Sequence, residues 1–248
     1  MERRFQNFSI VQICDSGQCF RMEPRGGHTW QLVAKDRYLE VAQEGDKCCF
    51  SCEEEEFSGF WEEYFDLKRD YGSCIDRINP GDRYLTQAAE FGSGIRILRQ
   101  DLWEMIVSFL ISQQNNIGRI RRCIRNLCEQ YGERKQNFRG EVYYAFPKPE
   151  VLAELPEEAL KECNLGYRSR YVVRTARAVC DGKNCCSFLA WGIRWLTVSV
   201  CLPCIIWRLF PWILISARRW SFIIREDFLH EGTEGCRESC SSTFFIMN

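Results

Sequence analysis

The sequence predicts an α+β fold, in which an N-terminal antiparallel β domain precedes an all-α domain that is incomplete at its C-terminal end. Three observations predict it: β-rich segments fill residues 8–52, amphipathic helical patterns occupy residues 97–180, and the composition changes abruptly near residue 185. We therefore divide the chain into a β-rich domain, a partial helical domain and an aberrant tail, at residues 1–96, 97–184 and 185–248.

The strongest strand signal in the β domain is a hairpin. Residues 30–34 and 37–41 are strand-like, and Lys35 and Asp36 supply a two-residue turn between them. Residues 8–14 have weak alternation but a strand-like β-branched content, so we expect a strand there as well. The acidic run at residues 53–56 is expected to form a solvated loop or the start of a helix.

Two amphipathic helices are predicted within residues 101–131. Asp101 is a candidate N-cap, and Glu104 follows at the spacing of a capping box. The apolar faces of the two helices are expected to consist of Leu102, Ile106, Phe109 and Leu110, and of Ile117, Ile120, Ile124, Leu127 and Cys128. Four amides at residues 113–116 separate the helices, and shorter helices are expected at residues 157–163 and 171–180.

Charge and cysteine content narrow the function classes. The net charge of −1 excludes a basic surface over the whole chain, so any nucleic-acid surface has to be a local patch. Residues 1–7 lack the apolar core of a secretion signal, and we expect the cysteines to be reduced thiols. Cys49 and Cys52 have the spacing of a metal-binding pair but no second pair at ribbon spacing, so we predict neither a metal nor a cofactor.

The tail at residues 185–248 differs in composition from everything before it. It holds five of the eight Trp and six of the 16 Cys, and residues 195–207 carry no charge. Residues 188–216 are long enough to cross a bilayer, but Arg194 and Arg208 interrupt them, and a charge near the bilayer centre is costly. We favour translation in a wrong reading frame over a fused membrane segment or a disordered tail.

Three segments stand out as candidate functional motifs. The first, at residues 16–22, contains Gly17. The second consists of residues 98–101, which lead to the amide-rich stretch at residues 112–120, and the third spans residues 164–171. Alone, each has an ordinary explanation as a turn, a polar loop between helices or a surface cluster.

Together, in this order and spacing, the three segments resemble the 8-oxoguanine DNA glycosylase family over about residues 8–180. The resemblance implies a twisted antiparallel β domain followed by an all-α helix-hairpin-helix glycosylase domain. It also implies base-excision repair of duplex DNA that contains 8-oxoguanine opposite cytosine, by a monomer in the bacterial cytoplasm, at the nucleoid, or in a nucleus.

The resemblance assigns roles to individual residues. Gly17 matches the glycine whose carbonyl accepts the N7 hydrogen of 8-oxoguanine, a hydrogen that guanine lacks. Tyr167 would wedge into the base stack, while Arg119 and Arg168 would contact the orphaned cytosine. The loop that fills the gap left by the extruded base corresponds to Gln114, Asn115 and Asn116. Arg170 belongs to the same DNA-binding set.

No residue of the chain matches the family's catalytic lysine or the aspartate that follows it. Lys183 is the last lysine, and it lies outside any Gly-rich hairpin. If each codon is started at its third base, residues 189–200, 208–216 and 237–247 admit the family's hairpin, its Pro-Val-Asp segment and its C-terminal helix, in that order. We therefore predict an out-of-frame tail and no catalytic residue in the chain as written.

Two other functions remain open from the sequence. The chain could be a non-catalytic DNA-binding module that keeps the lesion-facing loops, or a membrane-anchored protein with an unrelated tail. Binding to a lesion-containing duplex that weakens with salt would separate the first from the second.

Overall fold

The computed structural model describes residues 1–182, and the predicted α+β fold is confirmed there. A five-stranded antiparallel sheet comes first, with the strand order β1-β5-β4-β3-β2. Its strands are β1 (Glu2–Arg4), β2 (Met22–Gly26), β3 (Thr29–Ala34), β4 (Arg37–Glu44) and β5 (Lys47–Phe50).

The predicted hairpin is confirmed as β3 and β4. Ala34 lies opposite Arg37, so Lys35 and Asp36 form the two-residue turn. Lys35 has a φ of 56°, the left-handed conformation that such a turn requires.

The strand predicted at residues 8–14 is wrong, because the chain forms a helix there, α1 (Ile10–Asp15). The Ser9 side chain caps it by accepting a hydrogen bond from the backbone N–H of Gln12 at 3.3 Å. Ile10, Ile13 and Cys14 are buried at the i, i+3, i+4 spacing of a helix face. The N-cap and this spacing therefore outweigh the β-branched content of the segment.

The acidic run at residues 53–56 starts a helical segment, which was one of the two structures expected there. Helix α2 (Glu54–Glu56) continues into a π-helical turn at Phe57–Trp61 and then into α3 (Glu62–Tyr64). Trp61 and Phe65 are fully buried and pack beneath the sheet in one aromatic core. Helices α4 (Tyr71–Asp76) and α5 (Arg83–Phe91) follow.

The two helices predicted within residues 101–131 are confirmed as α6 (Leu102–Ser112) and α7 (Ile117–Tyr131). The predicted stripe of α7 is buried except for Ile117, and on α6 the buried positions are Glu104, Val107 and Ile111. In the face predicted for α6, Leu102 is 58% exposed and Ile106, Phe109 and Leu110 are only partly buried, so that prediction is wrong. Leu102 and Ile117 are the first residues of their helices, and both are exposed.

The remaining elements lie beside α6 and α7. They are a two-stranded hairpin of β6 (Arg134–Gln136) and β7 (Val142–Tyr144), helix α8 (Pro149–Ala153), a 3₁₀ turn (Ala159–Lys161) and helix α9 (Arg168–Cys180). The short helix predicted at residues 157–163 is thus a single 3₁₀ turn. The helix predicted from residue 171 begins three residues earlier, at Arg168.

A buried ion pair connects the sheet to the helices. Arg21 Nη1 lies 3.5 Å from Glu104 Oε1, and both side chains are about nine-tenths buried. Glu104 Oε2 accepts a hydrogen bond from the backbone N–H of Lys35 at 3.0 Å, and Arg21 also donates to the carbonyl of Tyr144. Burial raises the pKa of the Glu104 carboxyl, while the charge of Arg21 lowers it. Asp101 caps α6 as predicted, but Glu104 binds the β3–β4 turn instead of completing a capping box.

Neither a membrane-spanning helix nor a metal-binding cluster is present in the part of the chain that the structure describes. None of its helices is long and apolar enough to cross a bilayer. Within residues 1–182 no group of three or more His, Cys, Asp or Glu could hold a metal ion, and the cysteines there are unpaired. The predicted out-of-frame tail lies outside the described residues.

Replacing Glu104 with Ala should lower the free energy of unfolding by about 3–5 kcal/mol, because Arg21 would keep a buried charge without its carboxylate. Chemical denaturation of the two proteins measures this difference. The double variant Arg21→Met with Glu104→Leu is the control, and it should recover most of the loss. A loss below about 1 kcal/mol for the single variant would show that the pair does not hold the sheet to α6.

Candidate functional site

The amide loop at residues 113–116 connects α6 to α7 in a turn that its own side chains stabilise. Gln114 adopts a φ of 48°, in the left-handed region. Asn116 caps α7, because its Oδ1 accepts a hydrogen bond from the backbone N–H of Arg119 at 2.9 Å. The sequence-predicted loop is therefore a short and strongly constrained connection.

Asn115 and Gln114 have different roles within this loop. Asn115 donates from Nδ2 to the carbonyl of Ile111 at 3.0 Å and accepts from the backbone N–H of Asn116 at 3.1 Å. The Gln114 side chain is exposed and makes no hydrogen bond to residues 1–182. Asn115 thus shapes the loop, and the amide of Gln114 is available to a ligand.

Arg168 fixes the amide loop by donating hydrogen bonds to its backbone carbonyls. Its side chain is buried, at 5% exposure, and its Nε donates to the carbonyl of Gln113 at 3.0 Å. Its Nη2 donates to the carbonyls of Gln113 and Gln114, the latter at 3.2 Å. The guanidinium also lies over the Tyr167 ring, 4.6 Å from its centroid. Arg168 therefore places a positive charge directly beneath the amide loop.

A tight turn before α9 brings Arg168 to the loop. Asn164 and Gly166 both have a φ near 60°, at 63° and 58°, which reverses the chain just before the helix. The Cys123 thiol donates to the Asn164 carbonyl at 3.4 Å and so fixes the turn against α7. The Ser169 hydroxyl accepts from the backbone N–H of Leu160 at 3.1 Å and anchors the first turn of α9.

Two exposed aromatic rings lie beside this buried arginine. Tyr167 is 50% exposed and meets Tyr171 edge to face, with ring centroids 6.2 Å apart. Arg170 lies over the Tyr171 ring at 5.0 Å and donates to its hydroxyl at 3.1 Å. A rigid aromatic surface flanked by cations is thus open to solvent next to the loop.

Arg119 approaches the same place from the first turn of α7. Its side chain is exposed and lies beside the Cys123 thiol. Burial raises the pKa of this thiol, although the charges of Arg119 and Arg168 act in the opposite direction. The two arginines, Tyr167 and the amide loop therefore converge at one end of α7.

Gly17 lies in a different part of the fold, in the turn that follows α1. Gly17 is buried and has a φ of 72°. The neighbouring Gln18 makes three hydrogen bonds to a segment far along the chain. Gln18 donates from Nε2 to the carbonyl of Arg96 at 2.9 Å, and its Oε1 accepts from the backbone N–H of Leu98 at 3.0 Å. Gln100 donates to the Gln18 carbonyl at 2.7 Å. Within residues 1–182 no hydrogen bond joins Gly17 to the amide loop.

The hydrogen bonds that hold Gln18 could not be predicted from the sequence. Its side chain and carbonyl bind residues about 80 positions further along the chain, at Arg96, Leu98 and Gln100. The one available signal was Gln100 itself, a polar residue just before the predicted N-cap Asp101. These contacts fix the orientation of the peptide next to Gly17.

Two family descriptions match consecutive parts of the chain. The family described as 8-oxoguanine DNA glycosylase, N-terminal domain, matches residues 2–106. The family described as HhH-GPD superfamily base excision DNA repair protein matches residues 107–232, about half of the chain. This chain belongs to the 8-oxoguanine DNA glycosylase family. The second match runs into the tail, yet no lysine follows Lys183 there.

Individual members of the family agree with this assignment. The N-glycosylase/DNA lyase of Saccharomyces cerevisiae is 36% identical over 122 residues, which are 48% of this chain and 32% of the yeast protein. The 8-oxoguanine glycosylase/lyase of Clostridium acetobutylicum in its apo form is 34% identical, with a TM-score of 0.73 over 82% of this chain and 75% of that one.

A second structure of the Clostridium acetobutylicum enzyme was solved with double-stranded DNA containing cytosine opposite 8-oxoguanine. It is 32% identical to this chain, with a TM-score of 0.72 over 83% of this chain and 77% of that one. The present chain spans about a third of the yeast enzyme and three quarters of the bacterial one.

Replacing Arg168 with Lys should loosen the amide loop, because an ammonium cannot donate in a fork to two carbonyls. The free energy of unfolding should fall by about 1.5–3 kcal/mol, the size of a hydrogen bond to a charged group. Amide hydrogen exchange at residues 113–116 should become faster.

Arg170→Lys is the matched control, because Arg170 is exposed and donates to the neighbouring Tyr171 hydroxyl and not to the loop. It should leave loop exchange unchanged. Equal exchange rates in the Arg168 variant and the unaltered protein would show that other contacts hold the loop.

Proposed function

We propose that residues 1–182 form the lesion-recognition part of an 8-oxoguanine DNA glycosylase, which binds duplex DNA containing 8-oxoguanine opposite cytosine. We further propose that the chain as written does not catalyse base excision. The observation that supports recognition best is the convergence of the amide loop, Arg168 and the exposed Tyr167 at one end of α7. The proposal rests equally on membership of the family.

The geometry suits the task of replacing an extruded base. Such an enzyme must rotate the damaged base out of the stack and stabilise the gap that remains. The free amide of Gln114 is suited to fill this gap, and the half-exposed ring of Tyr167 to wedge between neighbouring bases. Arg119 is exposed and carries donors for the acceptor edge of the orphaned cytosine.

Arg168 has two separate functions in this proposal. Its Nε and Nη2 hold the loop carbonyls, and its Nη1 makes no hydrogen bond to residues 1–182. One edge of the guanidinium thus positions the loop, and the other is left to contact cytosine. Asn115, Asn116 and Arg170 support the loop and the aromatic surface.

Gly17 is proposed to distinguish the lesion from guanine. 8-Oxoguanine carries a hydrogen on N7, and guanine has a bare acceptor there. A backbone carbonyl at Gly17 would accept a hydrogen bond from the lesion and repel the lone pair of guanine. The three hydrogen bonds around Gln18 keep this peptide in one orientation.

The proposed inactivity follows from chemistry that the chain lacks. A lyase of this kind needs an amine to attack the anomeric carbon and form a Schiff base. In the chain as written no lysine follows Lys183, and no Pro-Val-Asp segment is present. We attribute this to an out-of-frame tail at residues 185–248, which lies outside the described residues.

The partner and the location are proposed on the same grounds. A family member solved with a lesion-containing duplex supports DNA as the partner. We propose that the chain acts as a monomer at DNA, in a bacterial nucleoid or in a nucleus. A non-catalytic DNA-binding module is the function that remains if recognition is retained and excision is lost.

Incubating the chain with an 8-oxoguanine duplex and borohydride should trap no covalent complex, because the hairpin lysine is absent. The same preparation should bind that duplex with an affinity that falls as salt rises. The Clostridium acetobutylicum enzyme serves as the positive control for trapping. A trapped band from the present chain would contradict the proposed inactivity, and a lack of salt-dependent binding would contradict recognition.

Restoring the reading frame near Asn184, with any deleted codons, should give a protein that excises 8-oxoguanine and cleaves the strand. In that protein Arg168→Ala should reduce the preference for cytosine opposite the lesion by about 1–3 kcal/mol, the value of one good base contact. Excision assays with each of the four opposite bases measure this preference. An inactive restored protein would contradict the frame hypothesis, and an unchanged preference would contradict the role given to Arg168.

A further inference from the structure

Positive charge is concentrated around the amide loop, although the whole chain has a net charge of −1. No acidic residue lies between Glu104 and Glu129, and this stretch contains Arg119, Arg121, Arg122 and Arg125. No acidic residue lies between Glu162 and Asp181 either, and that stretch contains Arg168, Arg170, Arg174 and Arg177.

Several of these arginines are used by the fold itself. On α7, Arg125 pairs with Glu23 of the sheet at 2.6 Å. The half-buried Arg121 lies near the Cys14 thiol of α1, and its Nε is buried without a hydrogen-bond partner within residues 1–182. On α9, Arg174 pairs with Glu157 at 2.8 Å, and Arg177 donates to the carbonyls of Ala153 and Leu155.

Arg122 differs from Arg125, Arg174 and Arg177. Its side chain is exposed, and it makes no hydrogen bond or ion pair to residues 1–182. Its neighbours on the helix surface, three residues away on either side, are Arg119 and Arg125. Like charges at this spacing destabilise a helix. Arg125 is paired with Glu23, but Arg119 is exposed like Arg122, and no carboxylate within residues 1–182 pairs with Arg122.

The position of Arg122 on α7 suits a ligand seated on the amide loop. It points away from the buried stripe that contains Ile120, Ile124 and Leu127. It follows the N-cap Asn116 by six residues, which is about 9 Å along the helix axis. A duplex presents a backbone charge about every 1.7 Å of its axis, so phosphates of any duplex bound at the loop would occur over this distance.

We propose that Arg122 binds a backbone phosphate of duplex DNA beside the lesion and so extends the DNA interface along α7. The inference rests on the proposed function, because it takes the amide loop to be the place where DNA is seated. A phosphate contact carries no sequence information. Arg122 would therefore strengthen binding to damaged and undamaged duplexes equally, unlike residues that touch the lesion or its partner base.

The test compares Arg122→Ala with Arg125→Ala in the full chain. Both changes remove the same side chain from the same helix, and Ala is the best helix former. Fluorescence anisotropy would follow binding to one duplex with 8-oxoguanine opposite cytosine and to the same duplex with guanine, across a range of salt concentrations.

Loss of one phosphate contact should make the negative slope of log affinity against log salt shallower by about 0.9. It should also weaken binding about eightfold at about 0.1 M salt. Arg122→Ala should show both effects with the lesion duplex and with the guanine duplex. Arg125→Ala should show neither effect with either duplex. Arg122→Lys keeps the positive charge, so its salt slope should remain close to that of the unaltered chain.

Three outcomes would overturn the inference, and each would point to a different error in it. If the unaltered chain binds both duplexes and the two Ala variants have the same salt slope as the unaltered chain, Arg122 makes no phosphate contact and the proposed function stands. If Arg122→Ala weakens binding to the lesion duplex alone, the contact is to the lesion site and not to the backbone. If the unaltered chain binds neither duplex, the proposed function fails as well.

Discussion

The guanidinium of Arg168 is the contact on which the candidate site depends. It joins the start of α9 to the amide loop, across 55 positions of sequence, by donating to the carbonyls of Gln113 and Gln114. Because its acceptors are neutral, the charge is held in place without being cancelled by a carboxylate. The loop thus acquires a fixed conformation and a positive potential at the same time, and both favour a polyanionic ligand.

A second buried arginine, Arg21, differs from Arg168 because its partner is a carboxylate. Arg21 lies between the sheet and α6 and faces the carboxylate of Glu104, so its charge is largely neutralised. That pair connects two parts of the fold and adds little field outside it. This chain therefore uses buried arginine in two ways, as one half of an interior ion pair and as a cation that donates to the neutral carbonyls of the amide loop.

Local sequence patterns correctly predicted the structural features that depend on residues close together in the sequence. The hairpin turn at Lys35 and the cap at Asp101 each depend on residues a few positions apart, and both were predicted. Helix α1 was not predicted, because the β-branched content of residues 8–14 favours a strand, whereas the cap at Ser9 and the buried face of the segment favour a helix. The contacts of Glu104, Gln18 and Arg168 join residues 55 to 83 positions apart, so no local pattern could reveal them. The site residues themselves were identified from family resemblance, and their roles remain proposals.

Hydrogen-exchange mass spectrometry with and without a duplex containing 8-oxoguanine opposite cytosine tests the central claim most directly. The account predicts slower exchange at residues 113–122 and 164–171 on DNA binding, because the loop, the start of α7 and the turn before α9 form the contact surface. Residues 79–92, which include α5, should exchange at the same rate in both states. Unchanged exchange in the first two segments under conditions where the duplex is bound would contradict the claim.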